Sequence, residues 1–197
     1  MFTEIRQSIR PALSLLVVFT LVTGLVYPLA VTGLAQLAMP EAANGSLITQ
    51  GGRIVGSRLI GQNFASPGYF HGRPSAAGSA GYDADNSSGS NLAPGAKALR
   101  DRVAADVGGL RKAGVTGPIP ADLVTTSASG LDPDISPASA LLQAPRVARA
   151  RGLPLAAVRD LVMAAERQPL AGVLGEPRVN VLLLNIQLDR MRDRQAR

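Results

Sequence analysis

Thirty consecutive positions, Pro11 to Pro40, carry no formal charge; Arg10 is the last charge before them and Glu41 the first after them. A helix needs roughly 20 predominantly apolar residues to cross the hydrocarbon core of a bilayer, so this run suffices with residues to spare. In lipid the backbone must satisfy its own hydrogen bonds, and a lone apolar segment does so only as a helix. The reading is a transmembrane helix over residues 11–37, a short cytoplasmic N-terminus at 1–10, and one exported domain over 38–197.

Flanking charge sets the side. Arg6, Arg10 and the amino terminus face a single Glu4 before the run, and no Lys or Arg follows it until Arg53. The positive-inside rule keeps the N-terminus in the cytoplasm and places the bulk of the chain in the periplasm. A cleavable signal peptide is the rival reading, with an apolar core of about 7–15 residues and a small-x-small cleavage site. Here the core is longer, Pro28 interrupts it, and Gly33-Leu34-Ala35 is the best cleavage candidate, so a retained anchor is expected. Within it Thr20, Thr23, Gly24 and Tyr27 share one stripe at helical spacing, a face suited to close contact with another membrane helix. Pro28 removes the amide that would bond the Gly24 carbonyl, so a kink is expected there.

The remainder is long enough for one domain with a real core. Cysteine is absent, which excludes disulfides and thiolate metal sites. His71, the only histidine, excludes His-pair metal sites and is the residue on which any Ser-His-Asp triad would hang. Setting aside Arg6, Arg10 and Glu4, the domain holds 18 Lys+Arg and 13 Asp+Glu out of chain totals of 20 and 14, a net of +5. These charges are spread out and aromatics are few, unlike a nucleic-acid surface, so no nucleic-acid partner is expected.

Residues 46–49 and 53–57 read as two short strands around Gln50-Gly51-Gly52. From Ser66 to Pro94 the chain is mainly Gly, Ser, Ala, Asn and Pro with Tyr69, Phe70 and Tyr82 interspersed, a loop that is either functional or disordered and that its aromatics would pin in part. Leu99, Val103, Val107 and Leu110 form a helical stripe ending at Gly108-Gly109 and Gly114. Ser136-Pro137 opens a helix carrying Leu141, Leu142, Val147 and Ala148, shortened or kinked at Pro145 and ended by Gly152. Pro154 opens the next, burying Leu155, Val158, Leu161 and Val162, and the last follows Asn180 with Val181, Leu184, Leu188 and Met191 inward and a frayed, charged tail. The fold class is α+β: one N-terminal transmembrane helix, then a domain with a small sheet and about four helices.

No phosphate-binding P-loop, dinucleotide fingerprint, G-x-S-x-G elbow or H-E-x-x-H helix is present. Asp132 and Asp134 precede a helix, where carboxylates act as caps and dipole partners; with Asp83 and Asp85 they could instead form an acidic lip. Ser87 to Asn91 could nest an anion or form a plain turn, Arg146, Arg149 and Arg151 complement a helix C-terminus, and Glu176 could meet Arg178. No catalytic, cofactor-binding or metal residue is expected.

Taken together, RPALSLLVVFTLVTGLVYPLAVTG, GSRLIGQNF, YFHGRPSAAG, SSGSNLAPGAKAL, PADLVTTSASGLDPDISPASALLQAPRVARARGL and GEPRVNVLLLNIQLD resemble the C subunit of the bacterial Kdp potassium-transporting P-type ATPase, over nearly the whole chain and in the same order. The resemblance implies a non-catalytic accessory subunit in the inner membrane, partnered by a potassium-translocating channel-like subunit, a P-type ATPase subunit, a small single-helix subunit and membrane lipid. It further implies a complex that uses ATP and Mg and transports K, within which this subunit assembles its partners and acts as a catalytic chaperone raising the pump subunit's affinity for ATP. Two other classes stay open: a free-standing membrane-anchored or exported binding protein, and an exported hydrolase using His71 and a serine.

Overall fold

A computed structural model describes residues 2–195. The chain folds as two compact units, Met1–Leu47 and Ile48–Arg197. The first is helical. Helix α1 (Phe2–Leu21) starts upstream of the uncharged run and passes through Pro11; a π-turn (Val22–Val26) follows, then α2 (Tyr27–Ala38) and the single turn α3 (Pro40–Ala43). Arg6–Ala38 is long and apolar enough to span a membrane, and none of its most apolar window is buried within the chain. The disturbance expected at Pro28 takes the form of the π-turn just upstream of it, where the Tyr27 amide donates to the Val22 carbonyl. A π-bulge is one of the known ways a helix absorbs a proline. Past α2 the side-chain amides of Gln36 and Asn44 pair reciprocally at 3.1 Å, and Asn44 also donates to the Pro40 carbonyl at 2.8 Å, closing the helix end.

The second unit begins as the sequence pattern predicts. Strands β1 (Leu47–Gln50) and β2 (Arg53–Ser57) form a two-stranded hairpin. Gly51 and Gly52, at φ 54° and 77°, supply the positive φ of a type I′ turn. Four main helices follow, as expected: α4 (Lys97–Lys112), α5 (Pro137–Arg151), α6 (Leu155–Ala165) and α7 (Val181–Gln195). The charged tail from Asp189, expected to fray, instead continues α7 as helix to Gln195, and its final two residues lie outside the described residues.

Several boundaries depart from the pattern. Helix α4 runs through Gly108-Gly109 to Lys112, because glycine weakens a helix by only about 1 kcal/mol and ends none by itself. Helix α5 passes through Pro145 to Arg151 and stops at Gly152, which is left-handed at φ 66°. Its N-terminus has the expected cap, with Ser136 Oγ accepting from the Ser139 amide at 3.1 Å. Its inward face is Ala140, Ala144, Val147 and Ala148, whereas Leu141 points to solvent. Small side chains there let α6 approach closely.

Three very short strands escape sequence periodicity altogether. β3 (Asp134–Ile135), β4 (Glu166–Arg167) and β5 (Arg178–Asn180) form an antiparallel sheet in the order β3-β5-β4, with Asp134 opposite Asn180 and Glu166 opposite Val179. The core lies between this sheet and α5, α6 and α7: Ile135, Val147, Val158, Val162, Val179, Leu184 and Leu188 are all buried. One further member, Phe70, comes from the glycine- and serine-rich loop and is fully buried.

Candidate functional site

How a loop of such composition holds a core residue is answered by side chains from the helices. Asn185 lies on the inward stripe of α7 and is 1% exposed. Its Oδ1 accepts from the Phe70 amide at 2.9 Å and its Nδ2 donates to the Phe70 carbonyl at 2.9 Å. Gln143 of α5 does the same one residue on, accepting from the His71 amide at 2.8 Å and donating to its carbonyl at 3.0 Å. Each amide thus offers the loop the donor–acceptor pair that a neighbouring strand would offer.

Arginines complete the fastening. Arg146 donates to the Pro67 and Tyr69 carbonyls at 2.6 and 3.0 Å and to Gln143 Oε1 at 2.7 Å. Arg151 donates to the Gly68 carbonyl at 2.6 Å, pairs with Asp189 at 2.6 Å, and stacks 4.4 Å from the centre of the Tyr69 ring. These two residues therefore bind loop carbonyls, beyond any complement to the helix dipole. Burial lowers the Arg146 pKa from its ordinary value. Further along, Ser87 and Ser88 donate to the Ser129 and Ala76 carbonyls at 2.9 Å each, so the stretch read as a possible anion nest spends two of its three hydroxyls on the chain itself.

A cavity of about 450 Å³ lies beside the fastened loop, lined by His71, Arg73, Tyr82, Asp106, Gln143 and Arg146 among others. The His71 Nε2 meets the Ser66 carbonyl at 3.0 Å, a loop contact rather than a link to a serine hydroxyl. Burial lowers its pKa, opposed by that hydrogen bond. Tyr82 donates to the Arg73 carbonyl at 2.6 Å, and burial with the nearby Asp132 charge pushes its pKa up to about 12. Burial raises the pKa of Asp106, with Arg102 opposing. The lining thus mixes the charged Arg73, Arg146 and Asp106 with polar groups tied to the chain. It presents no nucleophile activated by a base.

A second cavity, about 580 Å³, gathers Asp122, Asp132, Asp134 and Glu176 with Arg73 and Arg178. Two residues of the expected acidic lip thus come together, and both are paired: Asp132 with Arg73 at 2.9 Å and Asp134 with Arg178 at 3.1 Å. Arg178 faces Asp134 in place of the expected Glu176. The other two, Asp83 and Asp85, lie at a short 3-10 turn, where Asp83 Oδ1 accepts from the Asp85 amide at 3.1 Å. They do not line this cavity. Among the described residues no group of three or more His, Cys, Asp or Glu is placed to hold a metal ion. On the anchor, Thr20, Thr23, Gly24 and Tyr27 are all exposed, and the Thr23 hydroxyl donates to the Phe19 carbonyl at 2.6 Å inside the helix. A side-chain hydroxyl satisfied within its own helix can sit in lipid or against another helix.

These features define a class: an α+β domain held together by buried polar clamps and carried on an apolar helix long enough to span a membrane. The family model described as "K+-transporting ATPase, c chain" (KdpC) matches residues 9–190, and the chain belongs to that family. It is 60% identical to the potassium-transporting ATPase KdpC subunit of Caulobacter vibrioides over 182 residues, covering 92% of each chain. Against the same subunit of Rhodopseudomonas palustris it is 56% identical over 194 residues, covering 93% of this chain and 96% of the relative. Against that of Bradyrhizobium diazoefficiens it is 54% identical over 195 residues, covering 93% and 97%. The chain is accordingly a subunit of a potassium-transporting ATPase, which fits a component with no catalytic activity of its own.

Proposed function

We propose that the chain is the accessory subunit that assembles and stabilises the potassium-translocating channel-like subunit and the P-type ATPase subunit, together with a small single-helix subunit. The observation that carries this reading is the apolar helix Arg6–Ala38, which buries none of its most apolar window inside its own chain. Its Thr20, Thr23, Gly24 and Tyr27 face is the contact with the other membrane subunits. Affinity purification of this chain from detergent-solubilised membranes is expected to bring down the large membrane subunits in fixed proportion. Elution of the chain alone would support a free-standing binding protein instead.

The domain over residues 38–197 stands on the periplasmic side, since Arg6 and Arg10 flank the anchor on one side and Arg53 is the first positive charge on the other. Single cysteines at Ala98 or Ala104, both exposed on α4, are expected to react with an impermeant thiol reagent on spheroplasts, and one at Ser8 only after lysis. The reverse pattern would overturn the placement. ATP is cytoplasmic and the sequence has no phosphate loop, so an effect on the pump's ATP affinity would act through subunit packing, as a coupling free energy between distant sites. Its net charge of +5 makes the domain a docking cap rather than a funnel for cations. Asp83, Asp85, Asp132 and Asp134 would bias only the local field at its surface.

A further inference from the structure

Between β4 and β5 the chain turns through Gln168–Gly175, eight residues without a charge. The turn is built by its own backbone: Leu170 and Leu174 exchange amide-to-carbonyl hydrogen bonds at 3.0 Å in both directions, and the Gly172 and Val173 amides donate to the Pro169 and Leu170 carbonyls at 3.1 and 3.2 Å. Ala171 is held in the left-handed region at φ 52°, a conformation unfavourable for any residue with a Cβ. Such a defined turn would ordinarily present polar side chains to water. This one presents Leu170, Val173 and Leu174 at 73%, 80% and 63% exposure, and its one polar side chain, Gln168, folds back to Glu166 at 2.8 Å. Leu170 and Val173 are the most exposed large apolar residues of the domain.

We propose that this aliphatic tip is a plug that inserts into an uncharged apolar socket on another protein subunit of the potassium-transporting ATPase. The proposal rests on the accessory-subunit reading above. Three occupants are conceivable, and the residues separate them. A bilayer surface is engaged by interfacial aromatics and by a basic collar attracted to anionic lipid. The tip has no aromatic, and the charges nearest it, Glu166, Arg167, Glu176 and Arg178, are two of each sign. A second copy of this chain would need about 800 Å² buried per partner for a stable dimer, far more than three aliphatic side chains provide. A fixed, charge-free protrusion of three branched side chains suits a shaped protein pocket, as one anchor within a larger interface.

The test uses the full chain in its assembled complex. With p-benzoylphenylalanine in place of Val173, irradiation of membranes should give a covalent product with the combined mass of this chain and another ATPase subunit, while the same photoprobe at exposed Ala150 gives several-fold less. A product with lipid only, with a second copy only, or no excess over Ala150 would overturn the proposal. The triple variant Leu170→Ser, Val173→Ser, Leu174→Ser should retain several-fold less of the partner subunits on purification, with its melting temperature unchanged. If the unaltered chain holds its partners and the triple variant holds them equally, the plug fails and the accessory role stands. If the unaltered chain elutes alone, the accessory role fails as well.

Discussion

Two loops of this domain invert the usual relation between composition and burial. The stretch from Ser66 to Pro94 is rich in serine, glycine and alanine, yet it delivers Phe70 to the centre of the core. The stretch from Gln168 to Gly175 carries two leucines and a valine, yet it stands in water. What differs is the source of order. The first loop has little regular structure of its own and borrows hydrogen-bond partners from Asn185, Gln143, Arg146 and Arg151. The second satisfies its own backbone and leaves its side chains free for something else. Ordered backbone therefore reports on folding in one case and on association in the other.

Removing the borrowed partners should produce the largest effect. Asn185→Ala leaves the Phe70 amide and carbonyl buried without partners, and at about 1–3 kcal/mol for each orphaned group the domain should lose about 2–6 kcal/mol. Thermal unfolding of the detergent-solubilised chain should show this as a drop of roughly 5–20 °C. Gln143→Ala should do less, because His71 is only half-buried and water can replace one partner. An Asn185→Ala chain as stable as the unaltered one would mean the loop is ordered by Phe70 packing alone.

Acidification gives a smaller effect. Burial lowers the His71 pKa in the folded chain below its ordinary 6.5, so the unfolded chain binds the proton more readily. Stability from this group is intact above about 6.5 and falls as pH drops through and below that value. His71→Gln should flatten this part of the stability–pH curve while leaving the Gln143 clamp, which holds only the His71 backbone, in place. A slope unchanged by the substitution would show that other groups set it. Smallest of all should be the effect of the serine substitutions at the tip on the isolated chain, within about 0.5 kcal/mol, as for other exposed positions.

Much of the architecture was legible because it is local. The uncharged run is one continuous segment, and the Gly51-Gly52 hairpin, the Ser136 cap and the Gly152 stop each act within a few residues. The clamps were not, since Asn185 and Phe70 are 115 residues apart. A signal did exist: Asn185 occupies the i+4 position between Val181 and Leu188 on an apolar stripe, and Gln143 sits among Ala140, Ala144 and Val147. A polar amide on a buried stripe must find a partner, and a loop without regular structure is where unpaired backbone is available. Strands of two or three residues hold no measurable alternation, which hid β3, β4 and β5. The pairing of Asp132 and Asp134 with arginines was likewise invisible, because Arg73 and Arg178 reach them through folding alone.

The π-turn at Val22–Val26 alters how the anchor must be counted. Such a turn holds an extra residue in one revolution, so every residue after it lags the position that unbroken α-helical counting would assign. Thr20 belongs to the upstream phase, Thr23 and Gly24 lie within the turn, and Tyr27 opens the downstream phase. A straight neighbouring helix could follow one phase or the other, and a neighbour that follows both must itself bend or change at this level. Deleting one residue from the turn would bring the two phases back into register. Pro28 makes that deletion unfavourable, because a regular α-helix would then require the amide it lacks. The bulge is in this sense a ratchet tooth: once the proline is present, the offset between the two halves of the anchor is locked in.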